Sequence, residues 1–350
     1  MKSPLSTAVL IALCGVAGFA ARWLGLPLPF MMGPLLVSGL MSTMLARHLP
    51  EEFAFLAGLR LVFIAVIGLM IGTQITPTLF AEAKGLAISV AALGAFVVLS
   101  TGFNYAVFRR IGGFDRPTAF YSSAPGGLYE SIAFGENAGA DTSRLVLQQF
   151  LRVITVVTLL PIGLSFWHGA PLGSSAGMTM AQAEVPLSHL PIIAAAVIGG
   201  IALGAVCRLP ARQLTGPLVM GAALSLSGLV QMDIPQWLVN LAQVVIGASL
   251  GTRFKGTTRN TLAMGAALSL LSVGGMLCLA ALMASLLSPI TAEPFDVMLI
   301  SFAPGGVTEM ALVALSLPAN PALVTLYHII RILITVVGLS FSAHWFKPRL

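Results

Sequence analysis

Two short stretches carry most of the chemistry in this chain. SSAPGGLYES (Ser122–Ser131) and SFAPGGVTEM (Ser301–Met310) each place a glutamate three residues after a proline-glycine-glycine run. Proline followed by glycines breaks a helix and permits an unusual turn. A helix restarting after the break turns free N–H groups and a positive dipole end toward whatever lies there, which suits an anion. The glutamate in its first turn could accept from those N–H groups, titrate or hold a cation. An arginine follows each break inside an apolar run: Arg152 in LVLQQFLRVITVV and Arg331 in LVTLYHIIRILITVV. Residues three and four before it share its helix face, which brings Gln148 and Gln149 to Arg152, and Tyr327 and His328 to Arg331. A guanidinium at such depth costs at least ~2.5 kcal/mol unless paired. The expected partner is a glutamate of its own half or the other. The candidate substrate- or ion-binding set is Ser123, Pro125, Gly126, Gly127, Glu130, Gln149 and Arg152, with Pro304, Gly305, Gly306, Thr308, Glu309, His328 and Arg331. No catalytic residue, metal site or cofactor is expected.

The elements that hold these residues are apolar. Of 350 residues only 9% are charged and 57% are hydrophobic, against roughly 25% charged in a soluble domain. About ten runs approach the ~20 residues that cross the hydrocarbon, so the chain reads as an all-α polytopic membrane protein. The net charge of +6 sits in short loops, as the positive-inside rule places it, and nucleic-acid binding is not expected. Cys14, Cys207 and Cys278 lie in apolar runs without metal spacing and read as buried, inert thiols. The N-terminal MKSPLSTAVLIALCGVAGFAARW resembles a signal peptide, but its counterpart in the second half makes it part of the fold.

The chain is internally duplicated. LPLPFMMGPLL (Leu26–Leu36) answers to LPARQLTGPLV (Leu209–Val219), and IGLMIGTQI (Ile67–Ile75) to IGASLGTRF (Ile246–Phe254). Pro125 and Pro304, Glu130 and Glu309, and Arg152 and Arg331 are each 179 residues apart, whereas Pro34 and Pro217 are 183 apart. The four extra residues fit the loop Ala46–Phe53. The expected organisation is repeat 1 over 1–168, an external linker over 169–187 and repeat 2 over 188–350. Basic loops at Arg109–Arg116, Cys207–Arg212 and Arg253–Arg259, with the tail Lys347–Leu350, go inside; the linker, without Lys or Arg, goes outside. These positions close with about five spans per half plus one re-entrant PGG segment. An odd span count makes the halves inverted, with both termini cytoplasmic. Six spans per half would instead make them parallel. The small-residue motifs IGLMIG and IGASLG read as close helix packing, and the Gly33-Pro34 and Gly216-Pro217 pairs as kinks. Asp141 and Asn320 suit the N-caps of the arginine helices.

The doubled GPL, APGG and arginine pattern, with GAD (Gly139–Asp141) and PAN (Pro318–Asn320) downstream, resembles the AbrB-type integral membrane proteins of bacteria over essentially the whole chain. These are distinct from the small soluble DNA-binding regulator of the same name. The resemblance implies a two-repeat protein of the bacterial inner membrane, linked to transport and loosely to gene regulation. An ammonia monooxygenase label also attaches to the family, but the scattered histidines supply no ligand cluster for oxygen activation.

Inverted repeats with broken helices and charged groups at their interface are the grammar of alternating access. The first expectation is therefore a secondary transporter of a small anionic solute, with proton exchange at Glu130 or Glu309. It is not expected to be an enzyme. A membrane-embedded sensor or regulator is the alternative, and an intramembrane enzyme a more distant one. The partners are the lipid bilayer and a small-molecule or ion substrate, with homo-oligomer formation left open.

Overall fold

A computed structural model describes residues 4–43, 55–75, 85–170, 185–186, 189–209, 211–228, 233–254, 258–317 and 321–342. Asn320, the loop Ala46–Phe53, the tail Lys347–Leu350 and most of the 169–187 linker lie outside them. The described residues are helical and form the same seven-helix series in each half. The first series is α1 (Pro4–Trp23), α2 (Pro29–Thr43), α3 (Ala57–Thr73), α4 (Leu86–Ala106), α5 (Arg116–Ser123), α6 (Leu128–Asn137) and α7 (Thr142–His168). The second is α8 (His189–Val206), α9 (Arg212–Ser227), α10 (Gln236–Gly251), α11 (Arg259–Thr291), α12 (Phe295–Phe302), α13 (Val307–Ala314) and α14 (Pro321–Ser342).

Among the described residues six helices are long and apolar enough to cross a bilayer: α1, α4 with its π-helical extension to Ile111, α7, α8, α11 and α14. They form three repeat pairs, and the chain is an all-α polytopic membrane protein. Helices α2, α3, α9 and α10 have 15 to 17 residues, or roughly 23–26 Å at 1.5 Å per residue. Of these, α3, α9 and α10 are shorter than the full spans expected of them. Helices α5, α6, α12 and α13, of 8 to 10 residues, are too short to cross at all.

Two compact units divide the chain differently from the sequence repeats. One takes α1–α3 and α8–α10; the other takes α4–α6, α7 up to Leu160, α11, α12, the start of α13 and α14 from Leu323. Each repeat contributes to both, because the helices of one half pack on those of the other.

In the first unit the contacts come in matched pairs. A side chain at Gly68 or Gly72 of α3 would collide with the carbonyls of Leu214 and Leu218 on α9. At Gly247 and Gly251 of α10 it would collide with those of Met31 and Leu35 on α2. The IGLMIG and IGASLG glycines therefore let backbones touch, as small residues do at helix interfaces in membranes. Gly33 meets the Ala17 carbonyl and Gly216 that of Gly200, so both GP pairs mark a tight approach to the preceding helix.

In the second unit, α4 and its mate α11 lie side by side. Gly85, just before α4, meets Thr291 at the end of α11; Gly112, just past α4, meets Leu268 near its start. The two repeat-equivalent helices run in opposite directions. The first broken pair doubles back: Gly135 of α6 packs on Tyr121 of α5, and the Asp141 N–H donates to the Thr118 hydroxyl at 2.7 Å. The segment leaves where it entered, as a re-entrant hairpin does.

Candidate functional site

Helix α5 starts with Asp115, whose carboxylate accepts from the Thr118 N–H at 2.9 Å, and ends at the buried Ala124. Its last carbonyls have no helical successor and need other donors. Ser123 Oγ donates to Phe120 O at 2.6 Å, Gln149 Nε2 to Tyr121 O at 3.0 Å and Asn104 Nδ2 to Ser123 O at 3.2 Å. Arg152 Nη1 donates to Ala124 O. Pro125, Gly126 and Gly127 follow, all buried. Gly127 takes φ 63°, a left-handed turn natural to glycine, and becomes the N-cap of α6.

The second break repeats this plan. A His328 ring nitrogen meets Ile300 O at 3.0 Å, as Gln149 meets Tyr121 O. Arg331 Nη1 donates to Ala303 O, and Nη2 to Gly305 O at 2.6 Å. Each arginine thus crosses 28 residues to cap the short helix that ends at its own break. A cation there faces the negative end of the helix dipole. Among the described residues neither guanidinium forms an ion pair with a carboxylate, contrary to the pairing expected from the sequence. The break leaves carbonyls beside each arginine that can still accept hydrogen bonds, and these hold its N–H groups.

The glutamates fold toward their own helix starts. Glu130 is the third residue after the Gly127 cap, and its Oε2 lies 3.4 Å from where a Cβ on Gly127 would stand. A Cβ on Gly306 would collide with the Glu309 carboxylate. A carboxylate in this position reaches back over the N-terminus as in a capping box. Glu309 is 4% exposed and Thr308 8%, whereas Glu130 is half-buried.

The two breaks meet at Arg331. While it caps the second, its Nε lies 3.6 Å from the Cβ position of Gly126 in the first, and Thr335 Oγ1 lies at 3.3 Å. Arg152 holds Ala124 O, two residues before Gly126, so both guanidiniums flank the first break. Buried polar atoms without a partner gather here: Ser122 Oγ, Gln149 Oε1, Arg152 Nε, His328 Nδ1 and Arg331 Nε. Buried polar groups are usually satisfied, so such a cluster calls for an explanation.

A family model described as "Transition state regulatory protein AbrB" matches residues 40–347. The chain belongs to the AbrB family. It is 26% identical over 332 residues to "Putative regulator AbrB" of Escherichia coli (strain K12), covering 93% of this chain and 92% of the relative. It is 24% identical over 351 residues to "Uncharacterized protein YhjN" of Bacillus subtilis (strain 168), covering 93% and 89%. The family match runs through both breaks and both arginines.

In this AbrB-family chain the candidate residues of the first break (Ser123, Pro125, Gly126, Gly127, Gln149, Arg152) and of the second (Pro304, Gly305, His328, Arg331) surround their respective α5 and α12 termini. Glu130, Gly306, Thr308 and Glu309 line the helix starts just beyond. The sequence reading missed Asn104. It joins Ser123 O to Met276 Sδ at 3.0 Å and accepts from Ser272 Oγ at 2.7 Å. Its repeat position is Met283, so the duplication could not flag it. Thr335 was missed for the same reason, its counterpart being Val156.

Proposed function

We infer that this protein is a secondary transporter of a small, anionic solute. Alternating access would work at the meeting of the two breaks, in a multi-pass protein of the bacterial inner membrane with cytoplasmic termini. The observation that carries this reading is the pair of buried guanidiniums, held by neutral carbonyls and each keeping an unpartnered Nε. Their charge is not cancelled by a carboxylate, so an anion entering the site meets two cations with hydrogen bonds to spare. The opposed run of α4 and α11, and the fold-back of α5 and α6, favour inverted halves with re-entrant breaks. Glu130 and Glu309 are the groups through which a proton would couple to the solute.

A membrane-embedded sensor is the second reading, and the regulator's name of the Escherichia coli relative favours it. Purified protein in liposomes, offered a pool of labelled metabolites with and without a pH gradient, separates the two. A transporter accumulates a solute; a sensor binds one without net movement. Inverted halves also put Gly25 and Cys207, which follow α1 and α8, on opposite faces. Labelling of a Gly25→Cys thiol and of Cys207 from the same face would remove that topology.

A further inference from the structure

A cavity of about 310 Å³ opens where the π turn after α4 and the first turns of α7 and α11 converge. Phe114 and Leu268 form an apolar wall; Arg144, Gln148 and Asn260 form a polar one. Arg144 stacks over the Phe114 ring, 5.5 Å from its centre, and its Nε lies 3.3 Å from Asp141. Gln148 is only 3% exposed. It gives Nε2 to Gly265 O at 3.4 Å, while its Oε1 has no partner. A buried amide oxygen in a cavity wall asks for a donor from whatever enters. Arg109 Nη1 donates to Phe114 O at 2.6 Å, so a second cation stands at this wall beside the Arg144–Asp141 pair. Gln148 lies one turn before Arg152 on the same helix face.

We propose that this cavity is an anion-selecting vestibule, which admits a small organic anion bearing one hydrogen-bond donor and leads it past Gln148 to Arg152. The proposal deepens the transport reading and rests on it for the direction of travel. Arg109 attracts the anionic group, together with Arg144, whose pair with Asp141 is half-exposed, weak and open to exchange for an incoming anion; Gln148 Oε1 takes the donor, and the Phe114–Leu268 wall covers a short carbon skeleton. The volume stands at the lower end of ligand pockets, roughly 300–1,000 Å³, which fits a small solute.

The test uses full-length protein in detergent, with both faces reachable. In a Cys14→Ala, Cys207→Ser, Cys278→Ser background, Leu147→Cys puts a thiol in the wall, and free 2-mercaptoethanol serves as the uncharged reference thiol. The probes are an anionic and a cationic methanethiosulfonate of similar size. The anionic-to-cationic rate ratio at position 147 should exceed that of the free thiol by about fivefold or more, the effect of one unit charge at ~4 Å in water. Arg144→Gln should reduce it. A ratio equal to that of the free thiol, or indifferent to Arg144→Gln, would overturn the vestibule. Flux in liposomes reads the transport hypothesis separately: flux without selectivity at 147 removes the vestibule alone, and selectivity without flux removes transport and leaves an anion site.

Discussion

Exchanging each buried arginine for lysine should expose a difference between the two breaks. Arg331 serves two carbonyls, Ala303 O and Gly305 O, from two nitrogens, whereas Arg152 serves only Ala124 O. A lysine ammonium is a point donor on a flexible stem and cannot reproduce the planar fork. In Arg152→Lys one charge-assisted bond can re-form. In Arg331→Lys the single ammonium can keep Ala303 O or Gly305 O but not both; Ala303 O also accepts from the Gly305 N–H at 2.9 Å, whereas Gly305 O is left buried without a donor. A hydrogen bond to a charged group is worth roughly 1.5–3 kcal/mol, so Arg331→Lys should cost about that much more than Arg152→Lys. Both variants keep the charge, so desolvation of the cation largely cancels in the comparison. Reversible unfolding in mixed micelles titrated with dodecyl sulfate, followed by circular dichroism, gives the two values. Equal losses, or a greater loss in Arg152→Lys, would refute the capping assignment.

Gly68→Ala and Gly251→Ala should each destabilise by about 1–3 kcal/mol through overpacking, since a Cβ there meets a backbone carbonyl or the backbone of α2. In the same unfolding assay Gly94→Ala and Gly102→Ala, where a Cβ meets open space, should not. Asn104→Ala should cost about 1–3 kcal/mol, because Ser123 O and the Ser272 hydroxyl lose a buried partner; the unchanged stability of a folded variant would remove Asn104 from the support of the first break. Glu130→Gln with Glu309→Gln should leave a folded protein whose uptake in liposomes no longer responds to a pH gradient. Full pH-dependent uptake in that double variant would exclude the glutamates as the proton route.

The duplication was legible because it is written in side chains: PGG, the glutamates and the arginines recur at one spacing, and the structure gives those letters matching places. The glycine motifs were legible for a related reason, since two glycines a turn apart in an apolar run have few uses besides close approach. The short lengths of α3 and α9 were less so, because apolar residues adjoin their ends: Phe55 and Leu56 before α3, Leu229 and Val230 soon after α9. The division into compact units was not legible at all: it depends on which helix of one half meets which of the other, and no local pattern carries that.

The partner of each arginine was hidden for a more basic reason. An orphaned carbonyl has no letter of its own, so a sequence offers a glutamate as partner when a helix terminus can do the work. The difference bears on function. An arginine paired with a glutamate is neutral as a unit and offers an incoming anion little beyond hydrogen bonds. An arginine held by Ala124 O, or by Ala303 O and Gly305 O, keeps its formal charge, offset only by the partial charge of a short helix end. Two such centres flanking the same break at Ala124 and Gly126 are a standing cost to the folded protein, and a bound anion between them would relieve it. A solute that stabilises wild-type protein against unfolding should therefore be anionic, and should lose its effect when either arginine is replaced by methionine. A cationic or neutral solute with the same stabilising effect would contradict the argument from charge.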